Sequence, residues 1–97
     1  MAVRILVRMQ AKAGTGDRMA EILDEMLPDT MSREGAIELE LLRDLDDRDL
    51  FYATERWRDR ADHEAYVEWR ASSGTGAELA TVLEAVEMRY LETVGEW

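Results

Sequence analysis

Apolar and polar residues alternate from Val3 to Gln10, with Val3, Ile5, Val7 and Met9 on one side and Arg4, Leu6, Arg8 and Gln10 on the other. Period two predicts a strand with one strongly apolar face. Gly14, Thr15 and Gly16 interrupt it, and the period then lengthens. Met19, Ile22, Leu23, Met26 and Leu27 recur at helical spacing, with Thr15 or Asp17 as the capping residue. Pro28 lacks an N–H and crowds the preceding turn, which predicts a break or kink there. A last turn is expected to reach about Glu34, with Gly35 ending the helix.

Alternation returns in AIELELLRDL, placing Ile37, Leu39 and Leu41 on one face and Glu38, Glu40 and Leu42 on the other. LDDRD reads as a charged turn. LFYATERW then carries Phe51, Ala53, Glu55 and Trp57 on one face and Tyr52, Thr54 and Arg56 on the other. So short a turn predicts an antiparallel hairpin. Asp59 or Asp62 caps a helix through Ala65, Tyr66 and Trp69, SSGTG interrupts, and a short helix is expected from about Ala77 to Glu84. A final strand near Val86 to Thr93 sets Val86, Met88 and Tyr90 against Glu87, Arg89 and Leu91.

The order βαββαβ predicts an α+β, ferredoxin-like fold, with a four-stranded antiparallel sheet and both main helices on one face. The opposite sheet face carries Leu6, Leu42 and Leu91 among Arg4, Arg8, Glu38, Glu40 and Arg89. Leucines among opposed charges suit a contact with a second copy.

Composition narrows this picture. Ninety-seven residues make one domain, expected to span 1–97, and with no cysteine it has no disulfide to stabilise it. The single histidine argues against a metal staple. A small core of this kind gains most by pairing with itself, so a homodimer is expected. Twelve Lys and Arg against twenty-two Asp and Glu give a net charge of −10, with no cationic run. Nucleic acid and anionic membranes are therefore poor partners. The first apolar run, Ile5 to Val7, is far shorter than a signal or spanning segment, and a cytoplasmic location is expected. Asp44 to Asp49 lacks the ligand spacing and glycine of a calcium loop and reads as a solvated turn. Gly-Thr-Gly at 14–16 and 74–76 is too short for a phosphate-binding fingerprint. No metal or cofactor site is expected.

Three passages together resemble the antibiotic biosynthesis monooxygenase family. They are the first strand with KAGTGDRMAEILDEM, then EGAIELELLRDLDD, then LFYATERWRDRADHEAY, spanning about residues 3–70. The resemblance implies a dimeric α+β barrel. It also implies a range of chemistries, including cofactor-free oxidation of polyketide phenols, quinol oxidation and haem degradation. Haem-degrading relatives use an asparagine on the first strand and a later histidine. The corresponding strand position here is Val7 and no histidine follows His63, so a haem role is not expected. Family members often carry a histidine where this chain has Tyr66, with His63 one turn earlier.

Individual residues carry two readings each. Trp57 matches the family's tryptophan and is either a core aromatic or a pocket wall stacking on a flat substrate. His63 ordinarily titrates near neutrality and is either a base or a structurally bonded side chain. Glu55 shares the apolar face of Trp57, so it either pairs with an arginine or acts as a pocket acid or base. Tyr66 donates to a substrate oxygen or simply packs. Trp69 is expected to cover the sheet or a neighbouring subunit, and the methionines to fill core.

The expected function is a cofactor-independent monooxygenase that joins a small phenolic or quinol-type aromatic with molecular oxygen. In that reading His63 or Glu55 is the base and Tyr66 the hydrogen-bond donor. Trp57, Phe51, Val7, Met9, Leu39 and Met88 line the pocket between sheet and helices. The alternative is a non-oxygenase dimeric barrel that binds a small molecule, or a cyclase or isomerase.

Overall fold

The computed structural model describes residues 2–97. Its elements are β1 (Val3–Ala11), α1 (Gly16–Met31), β2 (Ala36–Arg43), β3 (Leu50–Trp57), α2 (Arg60–Ser73), α3 (Ala77–Val82) and β4 (Leu83–Leu91). The strands form one antiparallel sheet in the order β2-β3-β1-β4. The fold is therefore the α+β, βαββαβ arrangement, with α3 inserted before the last strand. No helix among the described residues is long and apolar enough to cross a membrane.

The alternation in β1, β3 and β4 becomes register. Val7 stands between Ala53 and Met88, Met9 between Phe51 and Val86, and Ile5 between Glu55 and Tyr90. These positions form the face under the helices. Met9, Ala11, Met19, Ile22, Leu23, Phe51, Ala53 and Val82 close into one buried cluster. Each large side chain fully withdrawn from water there contributes roughly 1.5–3 kcal/mol.

Three details depart from expectation. Helix α1 continues through Pro28 to Met31 and stops before Glu34. Pro28 and Asp24 both lie on the exposed side, so the Asp24 carbonyl that loses its intrahelical donor faces water, and the loss is tolerated. In β2 the pairing shifts between Ala36 and Glu38. The bulge turns Ile37 outward to 43% exposure, away from the face it was expected to share with Leu39 and Leu41. Finally, α3 ends at Val82 and β4 starts at Leu83, about three residues earlier than the alternation indicated.

Capping also divides differently from the sequence pattern. Asp59 caps α2 by accepting from the Asp62 amide, and Gly74 closes that helix in the left-handed region at φ 74°. The Thr15 side chain does not cap α1. The carboxylate of Asp49, from the β2–β3 turn, accepts from the amides of Gly14 (3.0 Å) and Gly16 (2.9 Å) instead. Asp44 likewise accepts from the Asp46 and Asp47 amides. Three carboxylates of the acidic turn, those of Asp44, Asp47 and Asp49, thus accept from backbone donors. Asp49→Ala should cost about 1–2 kcal/mol, the value of a lost cap. An unchanged urea midpoint would show that the turn does not hold α1.

Candidate functional site

A cavity of about 230 Å³ opens between the helices and the β3-β1-β4 part of the sheet. Val7, Met9, Val86 and Met88 form its sheet wall, and Leu23, Met26 and Leu79 contribute from the helices. Only a few polar side chains reach it: Glu55, His63, Tyr66 and Arg70. An apolar hollow with a few convergent polar groups is the usual form of a small-molecule site.

Alternation along β3 turns Glu55 inward, and it is 5% exposed. It finds no arginine there. Its partner is Trp57, two residues on and on the same face, whose indole Nε1–H donates to Oε1 at 2.9 Å. Burial pushes the Glu55 carboxyl up from its ordinary value, and the Trp57 hydrogen bond opposes that push in part. Opposite Glu55, the His63 Nε2 lies 3.8 Å from Oε1. His63 is 1% exposed, and its Nδ1 shares a 2.9 Å hydrogen bond with the Tyr90 hydroxyl.

Burial also drives the His63 imidazole down to about 4, so near neutral pH it is an uncharged neighbour of Glu55 rather than an ionic partner. The folded value lies below the ordinary 6.5. The resulting stability is therefore fully present above about pH 6.5 and is lost as pH falls towards 4, at roughly 3 kcal/mol for the whole shift. Because the chain has one histidine, its imidazole NMR signals are unambiguous. They should titrate with a midpoint near 4, and a midpoint at the ordinary value would overturn the buried, neutral assignment.

Helix α2 brings the remaining polar groups in, because His63, Tyr66 and Arg70 recur at i, i+3 and i+7 on one face. The Tyr66 hydroxyl meets Thr30 Oγ1 at 2.7 Å and accepts from Arg70 Nε at 3.0 Å. When Thr30 donates, the tyrosine oxygen accepts twice and its own proton is free for a ligand.

The sequence-predicted residues divide cleanly. Glu55, His63, Tyr66, Val7, Met9 and Met88 all line the cavity. Trp57, 1% exposed, stands behind that wall, its ring 5.0 Å from His63 edge-on and 5.3 Å from Tyr66. Phe51 is likewise packed in the core. Leu39 sits on the sheet edge β2, on the far side of β3 from the cavity, and lines a shallow groove beside α1 with Leu27 and Pro28. Arg70, Tyr90 and Thr30 were not singled out from the sequence. The signal for Arg70 was its place on the His63–Tyr66 face, and for Tyr90 its alternation with Met88.

Comparison with known proteins agrees with this architecture. The chain is similar over its length to SnoaB, a cofactor-independent oxygenase from Streptomyces nogalater, at 13% identity and TM-score 0.85, covering 98% of this chain and 95% of that one. PA3566 from Pseudomonas aeruginosa is 20% identical with TM-score 0.83, covering 97% and 95% of the two chains. A conserved protein from Methanosarcina mazei is 16% identical with TM-score 0.80, covering 94% and 91%. At these identities the likeness shows the fold. A comparison with curated proteins finds no match. Residues 2–72, nearly three-quarters of the chain, match the antibiotic biosynthesis monooxygenase family, and the chain belongs to that family.

Proposed function

We propose that the chain is a monooxygenase that works without a cofactor on a small phenolic or quinol-type aromatic. The observation that carries this reading is the buried Glu55 carboxyl on the wall of a largely apolar cavity. Family membership and the SnoaB-like fold support the same chemistry. At about 230 Å³ the cavity falls below the ~300–1,000 Å³ usual for drug-sized ligands, which suits a flat ring system of modest size.

In this reading Glu55 takes one proton from the substrate. A carboxylate raised by burial is a stronger base than an exposed one, and the neutral, partly spent His63 is the weaker candidate. The electron pair left behind makes an electron-rich phenolate or enolate. That anion passes one electron to molecular oxygen, the two radicals combine at carbon to give a peroxide anion, and the proton held by Glu55 converts it to a hydroperoxide. Glu55 then takes the remaining hydrogen of that carbon as a proton while the O–O bond breaks, and passes it to the departing hydroxide, so that water leaves and a carbonyl remains. One oxygen atom enters the product and the other leaves as water. The substrate supplies the electrons throughout.

We further propose that the working unit is a homodimer formed through the sheet face opposite the helices. Leu42 and Leu91 are 44% and 45% exposed there. On the same face Arg4 and Arg56 reach Glu38, and Arg56 Nε is buried without a hydrogen-bond partner among the described residues. A second copy would cover the leucines and offer acceptors to that idle donor. Sedimentation should give the dimer mass, and a monomer at micromolar concentration would overturn the pairing. For the activity, oxygen uptake should rise above background with at least one member of a panel of anthrones and hydroquinones. Uptake at background across the panel would sink the oxygenase reading.

A further inference from the structure

One cation faces the cavity without a charged partner. The Arg70 guanidinium has five N–H groups, and four are committed: Nε to Tyr66, one Nη1 hydrogen to Thr75 Oγ1, and Nη2 to the Met26 carbonyl and Thr30 Oγ1. Those bonds, of 2.8–3.1 Å, fix the planar group between α1, α2 and the turn after α2. Every acceptor is neutral. Arg60 on the same helix approaches Glu64 at 3.7 Å, but no carboxylate lies within ion-pair distance of Arg70 among the described residues. A half-buried positive charge bonded only to neutral groups gains most from an anionic ligand oxygen, which it meets with a charge-assisted bond in a low-dielectric site.

We propose that Arg70 and Tyr66 form an oxyanion-binding pole of this cavity, one that takes hydroxylated aromatics in ionised form in preference to neutral form. This rests on the cavity being the substrate site proposed above. The fifth Arg70 N–H and the Tyr66 proton, freed when Thr30 donates, are the two donors. The charge accounting fits Glu55 as base. When the substrate proton moves to the Glu55 carboxylate, the electron pair stays on the substrate oxygen. Negative charge is thus transferred from Glu55 to the ligand, where Arg70 meets it, and the cavity's total charge is unchanged. A donor fixed before the reaction stabilises that charge without reorganising.

The test uses 4-nitrophenol, whose phenol and phenolate absorb differently, so its ionisation is read in the complex without any turnover. Bound to the wild-type protein its pKa should fall by about one unit, equivalent to roughly tenfold tighter binding of the phenolate. Arg70→Gln should abolish the shift, Arg70→Lys should retain much of it because the charge remains, and Tyr66→Phe should reduce it. Equal binding of both forms by the wild type, or a full shift surviving in Arg70→Gln, overturns the pole. If Arg70→Gln does not fold, the Lys and Phe variants decide: a shift lost in Arg70→Lys or undiminished in Tyr66→Phe is equally fatal. No binding at all overturns the pole together with the cavity assignment. Phenolate preference without oxygen uptake on the anthrone and hydroquinone panel keeps the pole and removes the oxygenase.

Discussion

Glu55→Gln should lower turnover of a true substrate by at least about 100-fold, the lower end of what a positioned general base contributes, while leaving the fold intact. The substitution preserves shape, and the glutamine Oε1 can still accept the Trp57 indole N–H that now stands at 2.9 Å. Stability near neutral pH should hold or rise. The Glu55 pKa is raised on folding, so stability tied to its protonated form is present below the ordinary value and is lost as pH rises through the folded one. Replacing it with an uncharged group removes that loss. The pair of outcomes, lower activity with equal or greater stability, is what a base held in a costly environment predicts.

The pH profile separates the two candidate bases. With Glu55 acting, activity rises as the carboxylate ionises, so the acid limb lies above the ordinary glutamate value of 4.5. It should disappear in Glu55→Gln. If His63 were the base, the limb would sit near 4 and survive that substitution. Oxygen uptake by Glu55→Gln at wild-type rates would remove Glu55 from the chemistry.

Much of this arrangement was legible in the alternation of the chain, and its limits have physical causes. The inward faces of β1, β3 and β4 follow from period two alone, so the sequence placed Val7, Met9, Glu55 and Met88 around one space, as the register pairs them. Period says which face a residue is on and not how far along the sheet it lies. That is why Leu39 was grouped with them although β2 is the opposite edge strand. Neither does periodicity distinguish a wall from the layer behind it: Phe51 and Trp57 share the face but are packed out of the cavity. Ile37 was misplaced because a bulge inverts side-chain direction with no composition signal of its own. Arg70 was overlooked for another reason. A charge in the last turn of a helix reads as a solvated cation near the negative end of the dipole, and only the approach of α1 turns it inward.

Trp57→Phe should destabilise the protein by about 2–4 kcal/mol, and it should do so through Glu55. Truncating a fully buried indole leaves unfilled volume, and complete removal of such a ring costs about 3–5 kcal/mol. Phenylalanine recovers part of that packing but not the N–H. The Glu55 carboxyl then loses the one donor it has in the wall, and an orphaned buried acceptor costs about 1–3 kcal/mol. In Glu55→Gln the acceptor is uncharged, so the second loss shrinks. A double-mutant cycle should therefore show coupling of order 1 kcal/mol between the two positions, which are in direct contact. The same hydrogen bond now holds the Glu55 pKa below where burial alone would put it. Removing it moves that value further up, and the acid limb of activity should move to higher pH with it. A core tryptophan with no electrostatic role would lower the urea midpoint and leave the limb where it was. An unmoved limb together with purely additive stabilities would reduce Trp57 to packing, and Glu55 would then be tuned by burial alone.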